Sequence, residues 1–285
     1  MQVRADLKHP PLIALGFGDK YKLVKAFQKG GHIVGMCGDG ANDAPALRQA
    51  QIGIAVSTAT DVAKSAAGMV LTKSGLAGIV ASVKEGRVIF QRILTYTLNS
   101  ITKKIVQVLF LAVGLIMTGH AILTPMPMVL IMITGDFLGM SLTTKNVRPS
   151  PTPNAWKIGQ LTIAGVSMGI DELVFCASTL AFGLYPRHFD MDTLRTLTFV
   201  VIVFGNQATT YTNRERRRLW STRPSSWLIA SSVGDVLMAS TLAIAGITMK
   251  PLPVSMVVGT LVAACVFAVI LDSVKVPVFR RLGIT

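Results

Sequence analysis

The sequence predicts a two-part chain, in which an incomplete α/β domain with part of a parallel sheet is followed by an all-α bundle of six membrane spans. Within residues 1–75, short apolar runs alternate with segments of helical periodicity, the pattern of strands joined by helices. The chain is 51% hydrophobic and 15% charged, whereas soluble proteins are about a quarter charged. Six apolar runs near and after residue 105 each approach the about 20 residues that cross a bilayer.

The charge balance is strongly basic, with a formal net charge of +14. Such a charge is compatible with nucleic-acid binding, but the Lys and Arg residues fall largely in short loops between apolar runs, as the positive-inside rule expects. No basic patch with interleaved aromatic residues occurs, and the three cysteines are too scattered for a disulfide framework or a metal site. We therefore expect membrane lipid, and no nucleic acid, as a partner.

The α/β part, residues 1–75, contains three candidate strands and three candidate helices. The first helix, Tyr21–Lys29, has apolar residues at helical spacing and is stopped by Gly30–Gly31. Strands are predicted at His32–Cys37, Ile52–Val56 and Met69–Thr72, and further helices at Pro45–Gln51 and Asp61–Ala67. This is too little for a complete doubly wound domain, so we expect the chain to begin inside a fold.

The segment Met36–Leu47, which reads MCGDGANDAPAL, carries the chemistry of this part. Asp39 and Asp43 follow the end of an apolar strand, and a proline opens the next helix. Gly38 and Gly40 let the backbone turn sharply and approach a ligand closely. Paired carboxylates at such a turn suit Mg2+, which binds through one or two carboxylates together with phosphate and water. The segment predicts a phosphate and magnesium site, although a polar strand-to-helix turn is its plainer interpretation.

This twelve-residue string resembles the hinge motif of P-type ATPases, membrane pumps whose phosphorylation domain has a haloacid-dehalogenase-like fold. The resemblance implies that Asp39 ligates Mg2+ and that Asn42 and Asp43 organise the phosphoryl site, with Asp43 also near the metal. It implies that Lys20 reaches the phosphoryl oxygens, whereas spacing alone favours a solvated lysine at that position. Residues 1–75 would then be the C-terminal half of a phosphorylation domain.

The rest of the chain is predicted to be a stalk and a transmembrane domain. Residues 76–104 have a helical pattern with charged positions, typical of a stalk in water, and continue into the first span. Within the transmembrane domain, residues 105–285, the six spans are predicted at 105–119, 126–142, 158–184, 194–211, 227–247 and 253–271. Lys and Arg concentrate at alternate ends of the spans, so both termini are predicted to face the cytoplasm.

Four acids fall within or near the spans: Asp136, Asp171, Glu172 and Asp235. An ionised acid near the middle of a span costs about 2.5–3.5 kcal/mol on insertion scales, so such residues are usually functional or paired. Asp136 is the strongest candidate for ion transport, because it follows Thr134–Gly135 in a proline-containing span where unwound backbone can line a cavity. A buried acid satisfied by a neighbouring hydroxyl is the alternative.

The other intramembrane charges leave several interpretations open. Asp171 and Glu172 are adjacent, so they point to different faces of a helix and one of them can face the bundle. Lys103 and Lys104 stand at the start of the first span, where they either pair with an intramembrane acid or snorkel to the headgroups. For Asp235 we expect a structural hydrogen-bonding role.

Two further stretches resemble the proton-exporting plasma-membrane branch of P-type ATPases. Gly135–Pro151 is similar to the sixth span and following loop of that branch, and Thr212–Ser225 to the loop after its eighth span. By this resemblance, Asp136 takes up and releases the transported proton. Gly135 replaces the Asn often found before that carboxylate. The basic residue of the branch's fifth span has no clear match, and Lys103 lies about one helical turn away.

The chain is thus expected to be the C-terminal portion of an ATP-driven cation pump that exports protons across the plasma membrane, with ATP as substrate and Mg2+ as cofactor of the complete pump. The phosphorylated Asp, the actuator, the nucleotide-binding domain and the first four spans are expected on an N-terminal portion, so the chain alone should not hydrolyse ATP. A pump for Mg2+ or Ca2+ is one alternative, since Asp171 and Glu172 offer oxygen ligands. A non-catalytic membrane remnant is another.

Overall fold

The computed structural model describes residues 18–73, 75, 77–144, 147, 149–150 and 156–283. Contacts divide the chain into two compact units, Met1–Glu85 and Gly86–Thr285. Positions 145, 146, 148 and 151, in the loop that resembles the proton-exporting branch, lie outside the described residues. Within the described residues, all strands belong to the first unit, and the second unit is helical.

The first unit contains three strands and the helices that connect them. Helix α1 (Asp19–Lys29) is followed by β1 (Gly35–Gly38), a 3-10 helix (Ala41–Asp43), α2 (Ala44–Gln49), β2 (Ile52–Ala55), α3 (Asp61–Ala66) and β3 (Met69–Val70). The strands form a parallel sheet in the order β1-β2-β3, with Gly35 opposite Ile52 and Ile54 opposite Met69. Each crossover contains a helix, as parallel strands usually require. The predicted parallel α/β fold is therefore confirmed.

A small apolar core holds this sheet to its helices. Leu47 of α2 packs with Ala55, Ala59 and Ala63, and none of these four residues is more than 5% exposed. Gly53 in β2 allows the close approach of α2, because a Cβ at that position would lie 2.3 Å from the carbonyl oxygen of Leu47. Small residues thus bring the helix that follows the Met36–Leu47 motif directly against the central strand.

The ends of these elements differ from the predicted ones. β1 begins three residues later than the predicted His32–Cys37, and β3 has two residues instead of the predicted Met69–Thr72. Ile33 is 81% exposed and lies before β1, so its apolar character alone does not place this segment in the sheet. α1 begins one residue before Lys20, which therefore lies in the first turn of the helix and not ahead of it.

The first helix of the bundle, α4 (Ala77–Thr118), begins in the first unit and has 42 residues. It is followed by α5 (Pro125–Ser141), α6 (Ile158–Leu184), α7 (Met191–Arg214), α8 (Ser226–Ala245) and α9 (Val254–Arg281). At 1.5 Å per residue, α4 is about 63 Å long, about twice the thickness of a hydrocarbon core. The residues predicted as stalk and first span are almost all part of this one helix.

Helix α7 lies at the centre of the bundle. It contacts α5, α6, α8 and α9, and every residue from Thr196 to Thr210 is buried. Because neighbouring helices cover it, α7 can carry amides such as Asn206 and Gln207, which would be costly on a helix that faces lipid. Its polar character is therefore explained by its central position.

Among the described residues, five helices are long and apolar enough to cross a membrane: α4, α5 with its extension to Thr144, α6, α8 and α9. These helices are consistent with a multi-pass membrane protein. α7 is not among the five, and it is the helix that corresponds to the predicted span at residues 194–211. Its 24 residues would reach about 36 Å, which is long enough to span. Because α7 is not one of the five apolar helices, the sixth span stays a prediction.

Helix α5 corrects one expectation. The chain is helical without interruption from Pro125 to Ser141, so the backbone at Thr134–Gly135 does not unwind. A glycine inside a helix costs only about 1 kcal/mol relative to alanine, which packing readily offsets. The two prolines lie in the first turn of α5, where backbone N–H groups have no helical partner in any case.

Candidate functional sites

The loop after β1 brings Lys20 and Asp43 together. The 3-10 turn that follows Gly38 places Asp43, which is 3% exposed, at the start of α2. Nζ of Lys20, on α1, donates to Oδ1 of Asp43 at 2.6 Å. The backbone N–H groups of Asp39 and Gly40 donate to Oδ2 of Asp43 at 3.2 and 3.4 Å. Both carboxylate oxygens of Asp43 are thus engaged within the protein.

This arrangement requires a glycine at position 38. A Cβ on Gly38 would lie 2.6 Å from Cβ and from Oδ2 of Asp43, a separation that real side chains do not adopt. Gly40 differs, because its φ is −97° and a Cβ there would meet nothing closer than 3.8 Å. Of the two glycines predicted to approach a ligand, Gly38 is required by the fold. A side chain at position 40 would make only ordinary van der Waals contacts.

Asp43 is held in its ionised form. Burial raises the pKa of its carboxyl group, but hydrogen bonds from the Lys20 ammonium and from the N–H groups of Gly40 and Asp39 outweigh that effect and keep the pKa below its usual range. The Lys20 side chain is 42% exposed, and an ammonium has three N–H donors. Lys20 can therefore contact Asp43 and an anionic ligand at the same time.

Asp39 is the better placed of the two acids for a metal ion. It is exposed at the carboxyl end of β1, and its carbonyl oxygen accepts a hydrogen bond from the Thr60 N–H at 2.9 Å, which fixes the backbone. Asn42 is exposed on the same loop. In the described part of the chain, no three His, Cys, Asp or Glu side chains cluster around a metal-sized space. Mg2+ needs only one or two carboxylates with phosphate and water, so Asp39 fits it, and Asp43 fits it less well.

A second cluster lies in the bundle, in a cavity of about 50 Å3 lined by residues of α4, α5 and α7. Nζ of Lys103, on α4, donates to the carbonyl oxygen of Gly135, on α5, at 3.1 Å. Asp136, Asn99 and Asn206 also line the cavity. A buried water needs about 10–15 Å3 of such space, so the cavity has room for water. Packing thus brings together Lys103, Gly135 and Asp136.

Asp136 and Lys104 are both exposed in the structure. The alternative interpretation, in which Asp136 is a buried acid satisfied by a neighbouring hydroxyl, is therefore wrong. Asp136 stands at the edge of the cavity, one residue from the carbonyl group that holds the Lys103 ammonium. A cation in this position attracts a carboxylate and repels any further cation.

The remaining intramembrane acids have different surroundings. Glu172 is fully buried in the bundle and Asp171 is half-buried, so Glu172 is the member of the pair that faces the bundle. Asp235, on α8, is buried and accepts a hydrogen bond from the side-chain amide of Gln207, on α7. Ser232 donates to the oxygen of the same amide at 2.8 Å. These contacts tie α8 to the central helix.

A buried ionic network near the end of α9 was not predicted. Lys275 and Asp272 are 0% and 1% exposed, and their Nζ and Oδ1 atoms are 2.7 Å apart. Lys275 also donates to the carbonyl oxygen of Thr212, and Asp272 accepts from the N–H of Leu219. The i, i+3 spacing of an acid and a lysine signals a helical pair. That signal is hidden when the last span is ended at residue 271, whereas α9 continues to Arg281.

Comparison with known proteins adds two findings. Residues 22–82 match the family described as haloacid dehalogenase-like hydrolase. Over 268 residues, the chain is 33% identical to a protein of Methanocaldococcus jannaschii named "Putative cation-transporting ATPase". The match covers 93% of the chain and 33% of that relative, so the chain spans about a third of the relative's length.

These matches bear on both units. The haloacid-dehalogenase-like fold of the first unit is confirmed, and the matched residues include Asp39, Asn42 and Asp43. The long match extends through the helices of the bundle. Together the two findings support a P-type ATPase-like protein, with a haloacid-dehalogenase-like domain followed by a helical region that contains five long apolar helices.

Proposed function

We propose that this chain is the C-terminal portion of an ATP-driven P-type cation pump and that its cargo is the proton. One observation carries the choice of cargo: the hydrogen bond from Lys103 Nζ to the Gly135 carbonyl oxygen places an ammonium one residue from Asp136. The named cation-transporting relative and the haloacid-dehalogenase-like fold support the class of pump. In this proposal the first unit handles phosphate, and the cavity in the bundle handles the cation.

Four residues of the first unit are assigned to phosphoryl chemistry. Lys20 binds phosphoryl oxygens, Asp43 orients the Lys20 ammonium, Asn42 donates a hydrogen bond to phosphate, and Asp39 holds Mg2+. The metal ion supplies charge neutralisation for the phosphoryl group. Such transfers depend mainly on positioning and electrostatics, which this preorganised loop can provide. ATP is the proposed substrate, and the phosphorylated Asp belongs to the N-terminal portion of the complete pump.

A divalent cargo is less well supported than a proton. Mg2+ and Ca2+ take about six or more oxygen ligands. Among the described residues that line the cavity, Asp136 is the one carboxylate and the other side-chain oxygens are neutral, while the ammonium of Lys103 repels a divalent ion. A proton needs no such set of oxygen ligands, and it can reach Asp136 through water in the cavity. Asp171 and Glu172 do not converge on one space, since one is half-buried and the other fully buried.

The proposed pump lies in the plasma membrane with both termini in the cytoplasm. We assign α7 as its additional span, because α7 contacts four membrane-type helices and its 24 residues are long enough to cross a bilayer. Its partners are membrane lipid, the transported proton and the N-terminal portion of the pump, which contains the actuator, the nucleotide-binding domain and the first four spans.

The test uses the complete pump in proteoliposomes that contain a pH-sensitive dye. Asp136→Asn should abolish the ATP-driven pH gradient, because an amide cannot carry the proton, while the phosphoenzyme still forms. Asp192→Asn removes an exposed acid on α7 and serves as the matched control, with wild-type transport expected. Transport at the wild-type rate by Asp136→Asn would remove Asp136 from the mechanism.

Ion dependence separates the proton pump from the alternatives. Dephosphorylation of the proton pump should respond to pH and not to added Ca2+. Acceleration by Ca2+ or by raised Mg2+ would replace the proton with a divalent cargo. A complete protein that forms no phosphoenzyme from ATP would instead be a non-catalytic remnant.

A further inference from the structure

Glu172, on α6, is a buried acid without a hydrogen-bond partner. Its side chain is 0% exposed, and neither Oε1 nor Oε2 has a partner among the residues that the structure describes. A buried carboxylate is costly unless a proton neutralises it or a cation pairs with it. The proposed function does not use Glu172, so its charge needs a separate explanation.

The surroundings of Glu172 leave room for a carboxylate. Gly205, on α7, lies against it, since a Cβ at Gly205 would be 3.3 Å from Oε1 of Glu172 and 3.7 Å from Sγ of Cys176. Thr209, one helical turn further along α7, interacts with Glu172, and its buried hydroxyl has no regular hydrogen bond within the described chain. The missing side chain at Gly205 thus lets α7 pack closely against the Glu172 carboxylate.

Lys103 stands on the part of α4 that packs against α6 just before Glu172. The neighbouring Thr102 hydroxyl donates to the Gly165 carbonyl oxygen at 3.3 Å, and a Cβ at Gly169 would lie 3.5 Å from the Thr102 carbonyl oxygen. The hydrogen bond that the structure gives Lys103 goes to a carbonyl oxygen of α5. An ammonium has three donors on a flexible four-carbon stem, so the same group can reach more than one acceptor.

We propose that Glu172 is a second acceptor for the Lys103 ammonium, in alternation with the Gly135 carbonyl oxygen beside Asp136. When Lys103 binds Gly135, its charge offsets that of Asp136. When Lys103 binds Glu172, Asp136 is left free for the transported cation. Glu172 is then a positioning residue that acts through Lys103. The role of Glu172 in transport rests on the proposed function. The pairing of Glu172 with Lys103 does not, because it is argued from contacts within the bundle.

Infrared spectroscopy of the full chain in lipid nanodiscs tests the pairing, because a protonated carboxyl group has a C=O stretch that an ionised carboxylate lacks. Labelling glutamate alone with 13C restricts the shifted signal to three residues: Glu85, Glu172 and Glu215. At neutral pH the wild-type chain should show this band with less than the intensity of one carboxyl group per chain, because Glu172 is paired only while Lys103 binds it. Lys103→Met removes the ammonium and should produce a band equivalent to one carboxyl group per chain.

Four matched variants identify the source of that band. The double variant Lys103→Met with Glu172→Gln should lose the band, whereas Lys103→Met with Asp171→Asn should keep it. Lys104→Met removes the neighbouring exposed lysine and should leave the band at its wild-type intensity. Lys103→Arg should also match the wild type, because a guanidinium group still pairs with the carboxylate. Lys103→Gln replaces the methionine variant if that protein does not fold.

Two results would overturn the proposal. A wild-type band as strong as that of Lys103→Met, and lost in Glu172→Gln, would mean that Glu172 stays neutral and does not bind Lys103. No band in a folded Lys103→Met or Lys103→Gln chain would mean that another group neutralises Glu172. Neither measurement depends on ATP hydrolysis, so failure of this pairing is distinguishable from failure of proton transport through Asp136.

Discussion

The two candidate sites are assembled in opposite ways. In the first unit, Asp39 and Asp43 are four residues apart, and one turn of chain presents both. In the bundle, Asn99 of α4 donates to Thr210 of α7 at 3.1 Å across 111 residues of sequence. A site formed by the residues of a single turn can be recognised in the sequence as a motif. A site made of facing helices exists only when those helices pack.

The two regions also differ in how water reaches their charges. At the first site the Lys20 side chain is 42% exposed. In the bundle, Lys275 and Asp272 are 0% and 1% exposed. Water can replace a lost partner at an exposed site, but it cannot do so for a charge that remains buried. Equivalent substitutions should therefore cost more in the bundle than in the loop that follows β1.

The largest effect is expected from Lys275→Met, which leaves Asp272 buried without its ammonium partner. Breaking a buried ion pair costs about 3–5 kcal/mol, and we expect about 3 kcal/mol here because the Leu219 N–H still binds Asp272. At about 2–4 °C per kcal/mol, the unfolding midpoint should fall by about 6–12 °C, measured by tryptophan fluorescence.

The control for this prediction is Asp192→Asn. Asp192 and Arg195 form an ion pair with the same i, i+3 spacing as Asp272 and Lys275, but their side chains are 65% and 31% exposed. The expected loss is at most about 0.5 kcal/mol. Equal losses in the two variants would show that burial does not set the cost.

The second effect concerns packing within the first unit. Gly53→Ala should destabilise it by about 2 kcal/mol, because the new methyl group would lie 2.3 Å from the Leu47 carbonyl oxygen. Hydrogen exchange of peptides covering β1 and β2 should then accelerate by about thirtyfold. Gly35→Ala, on the neighbouring strand, meets nothing closer than 4.0 Å and is the matched control. Similar acceleration in both variants would contradict the contact.

The third effect is on metal binding. Asp39→Asn should weaken Mg2+ binding by about tenfold or more, because it removes an exposed carboxylate ligand, while the fold is retained. Calorimetric titration with Mg2+ in the presence of inorganic phosphate measures this change. Asp61→Asn, in the first turn of α3, is a control acid of the same unit. An unchanged Mg2+ affinity in Asp39→Asn would remove Asp39 from the metal site.

The smallest effect depends on pH and concerns Asp43. Because its pKa in the folded chain lies below the unfolded value, its stabilising contribution is fully present above the unfolded pKa of about 3.9 and is lost as the pH falls through the folded pKa. Asp43→Asn should lower the hydrogen-exchange protection of α2 at pH 5, and the difference from wild type should shrink below about pH 4. Labelling times are scaled for intrinsic exchange. A difference that is constant with pH would mean that ionisation of Asp43 is not stabilising.

The sequence predicts the first unit well because its signals are local. Alternating apolar runs and glycine stops predict the strands, the helices and the parallel sheet. The phosphate site indicated by the loop from Met36 to Leu47 stays a prediction. The sequence does not predict that Asp43 binds Lys20, because that contact depends on how α1 packs beside the sheet. It also overextends β1, since Ile33 is apolar and yet stays outside the sheet.

Prediction is weaker in the bundle, because its contacts depend on how helices far apart in sequence pack together. The sequence expects unwound backbone at Gly135, but α5 stays helical and the carbonyl group of Gly135 binds Lys103. It offers Asp171 and Glu172 as a pair, and only helix orientation decides that Glu172 is the buried one. It passes over Lys275, whose charge is acceptable in the bundle only because Asp272 is beside it.

By itself, the amino-acid order determined the parallel α/β beginning, the apolar helices after it and the carboxylates of the loop that follows β1, because each arises from neighbours along the chain. Only the folded arrangement decided which charges meet: Lys20 with Asp43, and Lys103 with Gly135 beside Asp136. Periodicity fixes which face of a helix is apolar, but the rotation and depth of each helix come from side-chain packing between segments far apart in sequence.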